Sequence, residues 1–189
     1  MNSDRFRFFS SVLKESDLLV GLSHSCYDPG VEVQCRQEQS RLYQLISAHI
    51  KHDPDFAASL LPLPLPEKIP NLGPELKSIY ICGLATSTGP MSAVAGLFAQ
   101  ACGRAIAKEK SCEVLIENGG DLYLRNLENM VVVIHAGEVA LSGKLGLDIP
   151  PGEWGICTSS GTVGHSFSKG RADALTIVCK NTPLADAWA

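Results

Sequence analysis

Three short stretches of this chain carry residue types that can do chemistry. The longest runs from Gly155 to Gly170, where Thr158, Ser159, Ser160 and Thr162 place four hydroxyls in five positions. Gly161, Gly164 and Gly170 punctuate it, and His165 adds an imidazole. Hydroxyls and backbone N–H groups exposed beside glycines are what a polar or anionic ligand needs. An imidazole that titrates near neutrality can serve as general acid or base. The same composition also suits a plain polar turn between strands, and His165 alone would equally well cap one. The second stretch, Asn118-Gly119-Gly120-Asp121, separates two apolar runs and reads as a hairpin turn. Its second glycine and its carboxylate leave room for a ligand beside the turn, with Asp121 a candidate acid or base. The third, Gly89-Pro90-Met91-Ser92, opens a helix whose free N–H groups and positive dipole end favour an anion. All three are expected to line one cleft.

These stretches need elements to position them. Residues 6–13 and 18–22 read as two strands around the turn-like Lys14-Glu15-Ser16-Asp17. Apolar residues at spacings of three and four predict a helix from about Cys35 to Ile50, with His49 and His52 as surface residues at its end. Asp53-Pro54 opens a short helix through Leu60, and Leu61-Pro62-Leu63-Pro64-Leu65-Pro66 must run extended. A helix restarts over 73–82. Another runs from Pro90 to about Glu109, and its many alanines and glycines predict close packing against a sheet or a flat ligand. Strands are expected at 112–117, 122–125, 131–136 and 141–147, the last bulged at Gly143, and a buried strand at 172–179. Pro183 then opens a helix that places Asp186 in its first turn, where the helix N-terminus stabilises a carboxylate with no metal present. At Ala189 that helix is short enough to be incomplete. The expected fold is α+β: one domain, 1–189, with a largely antiparallel sheet and the small-residue helix packed across it.

Composition narrows the partners. A net charge of −4, with no basic cluster, argues against nucleic acid. No apolar run has the length of a membrane span, and the N-terminus lacks a signal-peptide pattern, so no membrane and a cytoplasmic location are expected. The seven scattered cysteines form no Cys-x-x-Cys and read as reduced, mostly buried thiols, with Cys157 beside the expected cleft. Phe6, Phe8, Phe9 and the Leu-Pro run offer a contact surface, so a homo-oligomer is a third possibility beside enzyme and binding module.

Taken in order, Asn118-Gly119-Gly120-Asp121, Thr158-Ser159-Ser160-Gly161 and the closing passage Ala174–Val178 and Leu184–Ala187 resemble the ApbE-like superfamily, which includes the magnesium-dependent FAD:protein FMN transferases. Gly89–Gly96 and Gly155–Ser168 look like a short branch of it, and this likeness covers the chain from the helix at 35–50 to Ala189. The resemblance implies Mg²⁺ at Asp186, and FAD or a related flavin nucleotide against Asn118–Asp121 and Thr158–Thr162. It also implies a flavin-transferase-like enzyme or, alternatively, a nucleotide-binding module that kept the pocket without the catalysis. Gly89-Pro90-Met91-Ser92 stands where the transferases carry a Gly-Ile-Ala-Lys-Gly-like segment, and Gly164-His165-Ser166 where they carry a longer loop.

Overall fold

The computed structural model describes residues 5–66, 72–107, 112–161 and 171–189. Two strands, β1 (Phe6–Leu13) and β2 (Ser16–Ser23), form the first hairpin. A 3-10 turn, His24–Cys26, leads into the long helix α1 (Pro29–His52), the short α2 (Asp55–Ala58) and α3 (Pro74–Thr86). A 3-10 turn, Pro90–Ala93, precedes α4 (Val94–Ile106). The strands β3 (Val114–Asn118), β4 (Asp121–Asn126), β5 (Met130–Ile134), β6 (Leu145–Ile149), β7 (Gly152–Ser159) and β8 (Leu175–Cys179) follow, and α5 (Thr182–Trp188) closes the chain.

Six strands make one antiparallel sheet in the order β1-β2-β3-β4-β7-β8, while β5 and β6 form a separate two-stranded ribbon. The sheet is a meander with two excursions. The helices α1–α4 leave between β2 and β3, and the ribbon leaves between β4 and β7. Strand alternation sorts the two faces. Val114, Ile116 and Tyr123 point into the helical core with Leu97, Phe98 and Cys102 of α4. Leu115, Leu122, Leu124 and Ile156 point the other way, onto Ile149, Met130, Val132 and Leu147 of the ribbon. The α+β architecture, with a small-residue helix across an antiparallel sheet, is therefore as expected. Gly103 explains how closely α4 approaches: a β-carbon there would stand 2.2 Å from the ring of Tyr123.

Several local expectations are corrected. The helix α1 starts six residues before Cys35, because Asp28 accepts from Gly30 N at 2.7 Å as N-cap and Pro29 fills the first turn. The segment from Pro90 is not one helix: its first turn is 3-10, and the α-helix ends at Ile106. The helix after Pro54 stops at Ala58, and α3 continues to Thr86 before Ser87 adopts a left-handed conformation. Gly143 lies in a turn before β6 and not in a bulge. The strand expected at 172–179 is shorter and, lying at the sheet's edge, half-exposed. His49 is buried: its Nε2 lies 2.8 Å from Tyr80 Oη, which donates to Asp53 at 3.2 Å, while Phe56 packs edge-on against the imidazole. Cys26 and Cys112 form a disulfide, so the cysteines are not all thiols; Cys35, Cys82, Cys102, Cys157 and Cys179 are free. No single helix among the described residues is long and apolar enough to cross a membrane.

Candidate functional site

The β3–β4 hairpin turns through Gly119 and Gly120 with φ of 66° and 109°, angles that glycine adopts without steric cost, and sets Asn118 opposite Asp121. Glu117 Oε1 accepts from Gly120 N at 2.8 Å and closes the turn from beneath. Asn118 Nδ2 donates to Ala95 O at 3.1 Å, which ties the turn to the first turn of α4. On the other side, Thr158 N donates to Gly120 O at 3.1 Å. The hairpin, the end of β7 and the start of α4 thus meet in one place, with Ala95 rather than Gly89–Ser92 supplying the contact from the helix side.

Asp186 reaches the same place from α5. It lies in the second turn of that helix and not the first, since Asn181 is the N-cap and accepts from Leu184 N. Its carboxylate serves a different helix: Oδ2 accepts from Gly96 N of α4 at 2.7 Å, satisfying one of the N–H groups that a helix start leaves open. The service is returned, because Gln100 Oε1 of α4 accepts from Thr182 N at the start of α5 at 3.0 Å. Two glycines permit this approach. A β-carbon at Gly96 would lie 2.6 Å from Thr182 O, and one at Gly155 would lie 2.5 Å from Thr182 Cα.

The electrostatics follow from this crowding. Burial raises the Asp121 carboxyl to about 6, the neighbouring Cys157 thiol opposes the rise, and the charge of Glu117 adds to it. Asp186 is held well above the usual carboxylate range by burial and by the charge of Asp121, against the hydrogen bond from Gly96. Cys157, paired with Asp121 across the β4–β7 ladder, is fully buried, and its thiol is pushed far up by burial and by both carboxylates. It donates to Thr182 O at 3.6 Å. Glu117 had no recognisable signal of its own in the sequence, and Gly96 was legible only as a small residue of its helix, since each makes a hydrogen bond that only the fold creates.

The remaining expected residues are spread around this centre. Thr158 and Ser159 end β7, and the Thr158 hydroxyl shares a 2.9 Å hydrogen bond with that of Thr176. Ser160 follows half-buried, and Gly161 N donates to Ala172 O at 3.0 Å. Gly89 is a packing residue, with a would-be β-carbon only 1.8 Å from Ser59 O. Ser92 Oγ donates to Gly89 O and joins Thr88 and Thr86 in a hydroxyl chain, while Met91 stays exposed. Thr162 and His165 lie outside the described residues. Among those described, no group of three or more His, Cys, Asp or Glu side chains forms a metal cluster.

The whole chain falls in a known family. It belongs to the family described as AbpE bacteria, whose model matches residues 1–189. Among its relatives are UPF0280 proteins of three archaea. That of Methanospirillum hungatei is 38% identical over 84% of this chain and 64% of its own length. That of Methanocella arvoryzae is 39% identical over 76% and 58%. That of Methanocaldococcus jannaschii is 30% identical over 94% and 70%. The chain thus spans less than two thirds of the length of the first two. A solved structure, the flavin transferase ApbE from Vibrio cholerae, is similar at a TM-score of 0.49 and 13% identity, covering 96% of this chain and 84% of that one.

Proposed function

We propose that this chain binds a flavin nucleotide through Mg²⁺ held by Asp186 and Asp121, as a flavin-transferase-like protein of the ApbE type. The observation that carries the reading is the convergence of two half-buried carboxylates, from β4 and α5, beside the glycine hairpin and the first turn of α4. The donor chemistry fits a hard divalent cation, which takes oxygen ligands, and such a cation supplies the counter-charge that this acidic pair calls for. Asp186 and Asp121 would hold the ion, which would supply positive charge to offset that of the nucleotide phosphates. Gly96 N is already occupied by Asp186, so this N–H is not a free donor for the nucleotide phosphate. Phosphate affinity then rests on the metal. Asn118 fixes the hairpin on α4, Glu117 shapes its turn, and the Cys157 thiol supports the Asp121 carboxylate.

Calorimetry tests this with FAD and FMN, each with and without Mg²⁺, on the wild type, Asp186→Asn and Asp121→Asn. Magnesium-dependent binding by the wild type, weakened at least about tenfold in either variant, is expected; that corresponds to ~1.4 kcal/mol. Equal binding by all three proteins, or no flavin binding by the wild type with Mg²⁺ present, would refute it.

A further inference from the structure

Among the described residues, α4 and α5 are joined by two hydrogen bonds of opposite sense. Asp186 of α5 accepts from Gly96 N of α4 at 2.7 Å, and Gln100 of α4 accepts from Thr182 N of α5 at 3.0 Å. Gly96 and Gln100 stand one turn apart on a single face of α4, and Thr182 and Asp186 do the same on α5. The helices therefore pass antiparallel here, with the two bonds a turn apart. The first bond belongs to the acidic pair. The second lies outside it, and its acceptor is a polar side chain only 9% exposed, in a helix whose other residues, Arg104 apart, are apolar or small.

The helix α5 has seven residues, a length with little stability of its own, so its place is set by what it packs against. The contacts at its start differ in character. Asn181 caps it through Leu184 N at 3.2 Å, which shapes the first turn but ties it to no other element. Gly155 of β7 lies beneath it, so close that a β-carbon there would stand 2.5 Å from Thr182 Cα. That contact blocks movement toward the sheet and supplies no bond. The Cys157 thiol, a weak donor, reaches Thr182 O at 3.6 Å, and Thr182 Oγ1 is buried with no hydrogen-bond partner among the described residues. The bond to Gln100 is the shorter of the two that join Thr182 to another element among those residues.

We propose that Gln100 is a positioning residue for the Asp186 carboxylate: it fixes the start of α5 on α4, and Asp186, one turn later on the same face, is thereby presented to Gly96 N. Without Gln100, α5 keeps one hydrogen bond to α4 among the described residues, at Asp186 itself, and the carboxylate becomes a hinge instead of a fixed point. Thr182 N would also be left buried and unpaired, which favours withdrawal of the helix start from α4. The consequence for cation affinity rests on the Mg²⁺ reading proposed above; the consequence for the Gly96 bond does not.

Gln100→Met keeps the length of the side chain without its acceptor, and Gln100→Asn is one methylene short of Thr182 N. Gln100→Glu retains an acceptor oxygen, and Asn181→Ala weakens α5 at its own cap without touching α4. Amide NMR on the full chain reads the Gly96 N–H, which a charge-assisted bond to a carboxylate shifts downfield. Asp186→Ala marks the position of that signal without the bond. Both Gln100→Met and Gln100→Asn should move Gly96 more than halfway to this mark. Gln100→Glu should restore the signal, and Asn181→Ala should leave it near the wild-type position. Calorimetry with Mg²⁺ alone should show about tenfold weaker binding in the two loss variants, the scale expected when a residue that orients a metal ligand is removed. A folded loss variant with Gly96 unmoved, or with unchanged Mg²⁺ affinity, overturns the proposal. So does an equal move of Gly96 in Asn181→Ala, since any loosening of α5 would then suffice. A wild type that binds no Mg²⁺ sinks the metal reading alone, and the Gly96 signal still decides the role of Gln100.

Discussion

Replacing Asp121 by Asn should stabilise this protein at neutral pH. In the fold its carboxyl rises from 3.8 to about 6, chiefly through burial. Between those two values the folded state holds a proton that the unfolded chain has released, so stability falls as pH rises through the window and stays low above it. At ~1.36 kcal/mol per pH unit the full effect is about 3 kcal/mol, and partial exposure of the residue reduces it to about 1.5–3 kcal/mol. Asparagine keeps the size of the side chain but carries no charge. Urea unfolding followed by circular dichroism from pH 4 to pH 8 should show wild type and variant equal near pH 4 and diverging above it. By pH 7.5 the variant should melt about 3–12 °C higher, taking ~2–4 °C per kcal/mol for a chain of this size. Added Mg²⁺ should narrow the gap by stabilising only the wild type. Parallel pH profiles for the two proteins, or a less stable variant at pH 7.5, would refute the electrostatic reasoning.

At position 186, Asn should preserve the bond from Gly96 N, whereas Asp186→Ala should fall below Asp186→Asn by about 1–2 kcal/mol through the lost cap, and equal urea midpoints would rule that role out. Gly96→Ala, whose methyl would meet Thr182 O at 2.6 Å, should cost about 1–3 kcal/mol and loosen α5, seen as faster hydrogen exchange at Thr182–Ala187. Thiol titration in denaturant should count five groups before reduction and seven after. Cys26→Ser should lower stability by about 4 kcal/mol, as for a bridge spanning 86 residues; seven thiols without reductant would dispose of both statements.

What could be read from the sequence was what local chemistry decides. Asn118-Gly119-Gly120-Asp121 is a turn wherever it occurs between apolar runs, and β3 and β4 flank it as expected. Pro90 marked a helix start, but not that its first turn would tighten to 3-10 where it packs on α5. Asp28-Pro29 was a readable start for α1 that apolar periodicity alone overlooked. Other features depend on partners distant in the chain. No spacing joins Cys26 to Cys112, and nothing local tells His49 that Tyr80 and Phe56 will cover it. Asp186 was picked out by resemblance and placed on the right helix, yet its bond to the start of α4 arises from two helices ninety positions apart crossing at a glycine.

The two-glycine turn has a consequence for length. Each ladder of the meander joins strands with side chains that alternate in direction, so the register of β4 is counted from Gly119 and Gly120. One residue added between them, with the β3 pairing preserved, moves Asp121 along by one and turns its carboxylate away from Cys157 and Asp186. Two added residues restore the face but push the carboxylate farther along the strand direction. Insertions near Leu127–Glu128 or Pro150–Pro151, where the ribbon leaves and rejoins, disturb no such count. The number of residues in this turn is therefore as much a determinant of the acidic pair as their identity, and a deletion there would remove the pair without touching either aspartate.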